Sequence, residues 1–157
     1  MKFKHEFNWA IILTGVSATW LLVQYFTGLH STKIHLHPLY GMLWYVLAFS
    51  VIFFSIKNLR HQSPDGKLFF WEGVQSGTLV AGISIPMHLV IYAIYYSTIG
   101  SVFFESAIAY SLELGMQKSE VEMFFTLEGL LIRETLSIIA SGFIISLFSS
   151  VFLKTDH

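Results

Sequence analysis

The stretch "SIKNLRHQSPDGKLFFWEGVQSG", residues 55–77, interrupts two long apolar runs. It holds the cations Lys57, Arg60 and Lys67 around a Ser-Pro-Asp-Gly sequence. Pro64 and Gly66 suit the second and fourth positions of a tight β-turn. We therefore interpret this segment, called the basic turn below, as a charged connection between two membrane-spanning helices.

The composition of the chain is that of a membrane protein. Of its 157 residues, 54% are hydrophobic and only 12% are charged, whereas soluble domains carry about 25% charged residues. The net charge of −1 gives no basic surface for nucleic acid. Because cysteine is absent, disulfides, thiolate metal sites and cysteine nucleophiles are excluded.

Four apolar runs are long enough, or nearly so, to cross a bilayer: 7–29, 38–56, 74–99 and 130–153. A span needs about 20 mostly apolar residues, and its backbone groups must be satisfied within the segment, which predicts helices. No small-residue cleavage site follows the first run, so we expect a retained helix rather than a signal peptide. The prediction is an all-α membrane protein whose single domain, residues 1–157, contains four transmembrane helices.

The segment between the third and fourth runs is less apolar, and residues 103–114 alternate at helical spacing. Glu105 and Glu113 fall on one face, and the other face carries apolar residues, namely Phe104, Ala107, Ile108 and Leu112. This pattern predicts a short amphipathic helix at the membrane surface, ended by Gly115. The alternative is an extension of the third span into water.

The distribution of cations predicts the orientation. With four spans, both termini and the basic turn lie on one side, which carries six cations: Lys2, Lys4, Lys57, Arg60, Lys67 and Lys154. The other side carries two, Lys33 and Lys118, while Arg133 lies within a span. Lysine and arginine near the ends of spans stay in the cytoplasm. We therefore expect both termini and the basic turn to be cytoplasmic.

Glu72 stands at the beginning of the third span. The aromatic residues before it, Phe69, Phe70 and Trp71, suit the headgroup layer of a bilayer. A carboxylate in the first turn of a helix is stabilised by the helix dipole. We interpret Glu72 as such an interfacial anion; the alternative is a gate or a proton site.

Three segments resemble a known family: "IKNLR" (56–60), "PDGKLFF" (64–70) and "WEGVQSGTLVAGI" (71–83). A loop with basic residues and a glycine, followed by an aromatic residue and a glycine-containing span, resembles the domain-of-unknown-function 4199 family, found mainly in Bacteroidota. The resemblance implies a multi-pass protein of the bacterial inner membrane. It implies no reaction and no functional residue.

Polar side chains within the spans fall in the half away from the basic turn: Gln24, His88, Arg133 and Glu134. Intramembrane ionisable residues usually face the bundle and need partners. Arg133 is near enough to the surface to extend to the headgroups. The shorter Glu134 is expected to point into the bundle and to pair with His88.

Three histidines occupy one loop, "HSTKIHLH": His30, His35 and His37. With Glu128 or Glu134 they could hold a metal ion. The competing interpretation is that these loop histidines are simply solvated, and neither a metal nor any other cofactor is assigned.

His88 also has two interpretations. It could share a haem with His37, or it could bond a backbone carbonyl that is freed by Pro86, whose ring blocks the carbonyl of Gly82. We favour the backbone carbonyl.

Small residues recur four apart and predict close contacts between helices. The pairs are Gly73 with Gly77, Ser137 with Ser141, and Ser146 with Ser150.

The function is less determined than the fold. We find no nucleophile motif, phosphate-binding loop or paired catalytic carboxylates, which argues against an enzyme. The leading hypothesis is a structural or accessory subunit in contact with the lipid bilayer, in a larger membrane complex or a homo-oligomer. The alternatives are a small transporter or channel that uses the polar cluster, and a metal- or haem-binding subunit.

The orientation can be tested with a reporter that is active only in the periplasm. Fused after His157, it should stay silent, because the six-to-two distribution of cations keeps that end in the cytoplasm. A strong signal would contradict the predicted topology.

Overall fold

The computed structural model describes residues 3–155. Met1, Lys2, Asp156 and His157 lie outside the described residues. The contribution of Lys2 to the charge distribution and the fusion point after His157 therefore concern residues outside the described part of the chain.

Within residues 3–155 the chain forms helices and turns without a strand. The α-helices are α1 (Lys4–Phe26), α2 (His37–Gly41), α3 (Leu43–Gln62), α4 (Phe70–Ser97), α5 (Val102–Glu113), α6 (Lys118–Phe124) and α7 (Leu127–Leu153). A 3₁₀ turn, Ile34–Leu36, precedes α2. Four helical segments are long and apolar enough to cross a membrane: Lys4–Phe26, Ile34–Gln62, Phe70–Ser97 and Leu127–Leu153. The all-α membrane fold expected from the sequence is confirmed.

Helices α4 and α7 begin before the apolar runs that predicted them, whereas α1 and α4 end two or three residues before their runs do. α4 begins at Phe70, and in its first turn Glu72 Oε2 accepts a hydrogen bond from the backbone N–H of Phe69 at 3.0 Å. α7 begins at Leu127, after Thr126 Oγ1 accepts from the N–H of Gly129 at 3.1 Å. Capping side chains, rather than the end of hydrophobicity, decide where these helices start.

The amphipathic helix between the third and fourth spans is present as α5. Its glutamates, Glu105 and Glu113, are exposed as expected. The buried stripe, however, runs through Phe103, Ala107 and Ser111, whereas Leu112 is 38% exposed. The expected apolar face was to meet lipid or the bundle: Ala107 is buried, Phe104 and Ile108 are partly buried, and Leu112 is left outside the bundle.

Helix α5 ends at a glycine and is followed by another short helix. Gly115 ends the helix with φ of +83°, a left-handed conformation that glycine adopts without strain. A second short helix, α6, follows it, which the sequence pattern does not predict.

The spans pack around α4, which lies against α7 and α1. Along the contact with α7, a Cβ atom on Gly73 would lie 2.5 Å from Ser150 Oγ, and one on Gly77 would overlap Ser146. Gly142 of α7 meets Ala81 of α4 in the same way. The two small-residue pairs Gly73–Gly77 and Ser146–Ser150 therefore face each other, so that the backbones approach closely.

The basic turn is fastened to the C-terminal end of α7. Residues Ser63 to Gly66 form the expected β-turn, with the N–H of Gly66 bonded to the Ser63 carbonyl at 3.0 Å. Arg60 Nε donates to the Gly66 carbonyl at 3.1 Å. Leu68 donates its backbone N–H to Thr155 Oγ1 at 2.7 Å, and Thr155 returns a backbone bond at 3.0 Å.

A carboxylate also orders this turn. Asp65 Oδ1 accepts from Ser63 Oγ at 2.8 Å and from the backbone N–H of Lys67 at 3.2 Å. These two hydrogen bonds hold the pKa of Asp65 below its ordinary value, and the bond from Ser63 has the larger effect. Because Leu68 is bonded to Thr155, and Ser63 and Lys67 share a groove with Glu6, the basic turn lies at the same end of the bundle as the start of α1 and the end of α7.

Replacing Gly77 by leucine should lower the free energy of unfolding by about 1–3 kcal/mol through overpacking, because the new side chain would meet Ser146 and Ile52. Gly82→Leu on the same helix is the matched control, since nothing lies within 4 Å of a Cβ there. SDS titration of the purified variants in mixed micelles would measure the difference. Equal stability of the two variants would contradict the close contact between α4 and α7.

Candidate functional site

The end of the bundle opposite the basic turn contains a cavity of about 410 Å³, called the aromatic cavity below. It lies between the end of α1, the start of α3, the end of α4, the start of α7, and α5 and α6. Its polar lining residues are Gln24, His37, Tyr45, Arg133, Glu134 and Ser137. Three of the four residues of the predicted polar cluster therefore share one cavity, and His88 does not line it.

Aromatic rings make up much of the remaining wall. They include Trp20, Trp44, Tyr92, Tyr96, Phe103 and Phe125. Tyr92 is fixed by a hydrogen bond between its hydroxyl and Ser17 Oγ at 3.0 Å, and Tyr45 by one to Ser137 Oγ at 3.1 Å. Because these hydroxyls are held in place, the rings present fixed faces to the cavity.

Arg133 and Glu134 lie side by side in α7 but have different surroundings. Arg133 Nη1 donates to the Phe124 carbonyl at 2.8 Å, and its guanidinium carbon lies 3.8 Å from the centre of the Phe124 ring. Glu134 is partly buried and lines the aromatic cavity. Arg133 is thus engaged with the end of α6, and the carboxylate of Glu134 is left to the cavity.

The expected pair of Glu134 with His88 is wrong. His88 Nδ1 lies 3.0 Å from the backbone carbonyl of Ser84 and 3.4 Å from Thr14 Oγ1. Since a carbonyl can only accept, Nδ1 carries the proton. Within residues 3–155 the single ion pair with N and O less than 4 Å apart joins Lys118 to Glu122, at 3.7 Å.

The structure confirms that His88 bonds a backbone carbonyl, but it does not confirm the carbonyl that was expected. The ring bonds a carbonyl of its own helix, but that carbonyl belongs to Ser84 and not to Gly82. Ser84 is one turn before His88, within direct reach of its imidazole. His88 is 2% exposed and packs edge-on against Trp44 and Tyr92, so that it lies behind two residues of the cavity wall.

His30 is a buried member of a hydrogen-bonded network and not a solvated loop residue. Its Nδ1 accepts from the Tyr95 hydroxyl at 2.7 Å, and its Nε2 lies 3.2 Å from Gln24 Oε1, to which it donates. This assignment needs only one ring proton. Burial, and secondarily the proximity of His37, lower the pKa of His30 to about 3.

The histidines do not assemble a metal site. His35 is exposed on the 3₁₀ turn, whereas the His37 ring packs against His30 and Phe103 with centroid distances of 5.3 and 5.1 Å. Among the described residues, no group of three or more histidine, aspartate or glutamate side chains is arranged to hold a metal ion. His37 and His88 lie in separate sets of ring contacts, which does not support haem ligation between them.

A groove of about 490 Å³ lies at the basic end and involves residues that the sequence interpretation missed. Glu6 lines it and accepts a hydrogen bond from Ser76 Oγ at 3.0 Å. Glu72, which also lines it, accepts from the N–H of Phe69, consistent with its interpretation as a first-turn anion. Both carboxylates therefore already have protein partners.

The aromatic lining was also missed. Tyr92 and Tyr96 lie in the third predicted span and Phe103 begins the predicted amphipathic helix, and only the folded chain brings the three rings together at the cavity. A usable signal did exist, because Tyr92 and Tyr96 follow His88 at intervals of four on one face of α4.

These features define a multi-pass α-helical membrane protein with a polar and aromatic cavity at one end of the bundle. A family model described as "Protein of unknown function (DUF4199)" matches residues 8–155, and the chain belongs to this family. No curated protein and no solved structure matches the chain.

The buried, neutral His30 predicts a pH dependence of stability. Because its pKa in the fold is lowered from 6.5 to about 3, the unfolded chain binds a proton that the folded chain cannot. The stability is complete above pH 6.5, and it should fall by about 1.4 kcal/mol per pH unit as the pH drops towards 3.

Comparison of unfolding at pH 7.5 and pH 5 would measure this loss. His30→Gln, which keeps a donor and an acceptor, should remove most of it, whereas His35→Gln at an exposed position should not. A wild-type stability that is unchanged between the two pH values would contradict the neutral, buried state of His30.

Proposed function

We propose that this chain is a non-catalytic accessory subunit of the bacterial inner membrane that holds a small ligand in the aromatic cavity. The carrying observation is the arrangement of this cavity, in which Gln24 and Glu134 meet a wall of fixed aromatic rings. Ligand sites are typically concave and mostly apolar, with a few convergent polar groups. The inner-membrane location and the Bacteroidota origin implied by the family resemblance belong to this proposal.

The closed packing beneath the cavity supports a binding role over transport. Between the cavity and the basic end the bundle is filled by a core that includes Leu13, Ala48, Ile52, Val80 and Ala81. A transport path needs polar groups across the membrane thickness. Here the ionisable residues of the cavity lie at one end of the bundle, and the buried polar groups beneath it, Thr14, Ser84 and His88, are packed in the core and bonded to backbone carbonyls.

The outer surface of the helices supports residence in lipid. Large apolar side chains on α7 remain exposed on the bundle, including Leu136 at 61%, Phe148 at 60% and Phe152 at 72%. Such surfaces are covered by acyl chains or by neighbouring helices. Within the proposed function, a larger membrane complex or a homo-oligomer would cover part of this exposed apolar surface.

In the proposed orientation the cavity lies on the periplasmic side. Lys57, Arg60 and Lys67 of the basic turn favour the cytoplasm, and the cavity lies at the opposite end of the spans. A ligand would therefore enter from the periplasm or from the outer leaflet.

Single cysteines test both the orientation and the depth of the cavity, since the native chain contains no cysteine. In intact spheroplasts a membrane-impermeant maleimide should label Ser137→Cys, which lines the cavity. Ser141→Cys, one turn deeper on the same helix and beside Ala81 and Gly142, should label much more slowly. Asp65→Cys in the exposed basic turn should react only after permeabilisation.

Each alternative has its own outcome in this experiment. Labelling of Asp65→Cys in intact spheroplasts would overturn the orientation. Equally fast labelling of Ser137→Cys and Ser141→Cys would indicate a continuous aqueous path and favour a transporter or channel. Protection of Ser137→Cys in both preparations would overturn an accessible binding cavity.

A further inference from the structure

Resting on the proposed function, we infer that the ligand of the aromatic cavity is a small organic cation, such as a substituted ammonium, with Glu134 as its counter-ion. The cavity combines a carboxylate with several aromatic faces. Aromatic rings attract cations through the negative potential of their faces, and enclosed sites for quaternary ammonium groups are built in this way.

The first support is that, within the part of the chain that the structure describes, Glu134 has no basic side chain in contact with its carboxylate. Among residues 3–155, no lysine, arginine or histidine nitrogen lies within 4 Å of its carboxylate oxygens. A partly buried carboxylate without a partner is costly in a membrane protein. A bound cation would supply the missing charge.

The second support is the engagement of the neighbouring cation. Arg133 lines the same cavity, but its Nη1 donates to the Phe124 carbonyl and its guanidinium lies over the Phe124 ring. Phe124 itself is 51% exposed, so these contacts hold Arg133 at the rim. Arg133 is therefore held away from direct contact with the Glu134 carboxylate.

The third support is the size and nature of the wall. A volume of about 410 Å³ suits a small organic molecule. Hydrated inorganic cations prefer sites with several oxygen ligands, and among the described residues no group of three or more acidic or histidine side chains is arranged to hold a metal ion. Apolar rings around one carboxylate favour a cation that carries its own hydrocarbon surface.

The test uses the purified full-length protein in lipid nanodiscs and three probes that share a phenyl ring and differ in charge: benzyltrimethylammonium, benzyl alcohol and benzoate. Trp20 and Trp44 line the cavity, so their fluorescence reports occupancy. The ammonium probe should give saturable quenching, with an affinity at least about tenfold above that of the neutral alcohol. Benzoate should bind more weakly than either.

Variants connect the selectivity to Glu134. Glu134→Gln should lower the affinity for the ammonium probe about tenfold or more, with little change for benzyl alcohol. Glu128→Gln, at an exposed position on the same helix outside the cavity, should bind like the wild type. Glu134→Asp, which keeps the charge, should retain the preference for the cation even if the fold is less stable.

Preferential binding of benzoate, equal binding of the ammonium and the alcohol, or unchanged selectivity in Glu134→Gln would each overturn the inference. So would the absence of saturable ammonium binding to a wild-type protein whose Ser137→Cys variant is labelled from the periplasmic side. If the ammonium probe does not bind although Ser137→Cys is labelled, the accessible cavity of the proposed function would stand and only the cationic ligand would be rejected. Protection of Ser137→Cys from labelling would contradict both the accessible cavity and the cationic ligand.

Discussion

The close approach of α4 to α7 sets the arrangement of the rest of the bundle. Without a hydrophobic driving force between helices in lipid, contact depends on how closely two backbones can pack. Gly73 and Gly77 of α4 receive Ser150 and Ser146 of α7, and Gly142 of α7 receives Ala81. The remaining spans then pack against this pair, with α1 beside α4 and α3 beside α7.

The same face of α4 changes from small to large side chains along its length. After Gly73, Gly77 and Ala81 come His88, Tyr92 and Tyr96, all of them buried. Large residues cannot pack as closely as glycine, and here the helix contributes to the wall of the aromatic cavity. One helix thus provides a tight contact at the basic end and part of the cavity wall at the other end.

The polar network around that space is held by residues outside the spans. His30 connects Gln24 of α1 to Tyr95 of α4, and its ring packs against Phe103 of α5 with centroids 5.0 Å apart. The loop after α1 and the short helix α5 therefore pack together over this end of the bundle. The neutrality of His30 follows from this burial, since a charged imidazole would lose its hydration.

The sequence by itself determined the class of the fold, the number of spans, the turn at Pro64 to Gly66 and the first-turn position of Glu72. Each of these follows from local chemistry: apolar length, backbone satisfaction in lipid, turn geometry and the helix dipole. The sequence also indicated that Gln24, Arg133 and Glu134 fall at one end of the spans, because position along a helix fixes depth.

Only the tertiary structure decided which partners these side chains have. His88 lies at a suitable depth for Glu134, but its Nδ1 bonds Ser84 instead. His30 looked like a solvated loop residue and is fully buried, and the inward stripe of α5 runs through Phe103 rather than Leu112. Depth follows from counting residues, whereas partners depend on how the helices are rotated about their axes, and close packing at distant glycines sets that rotation.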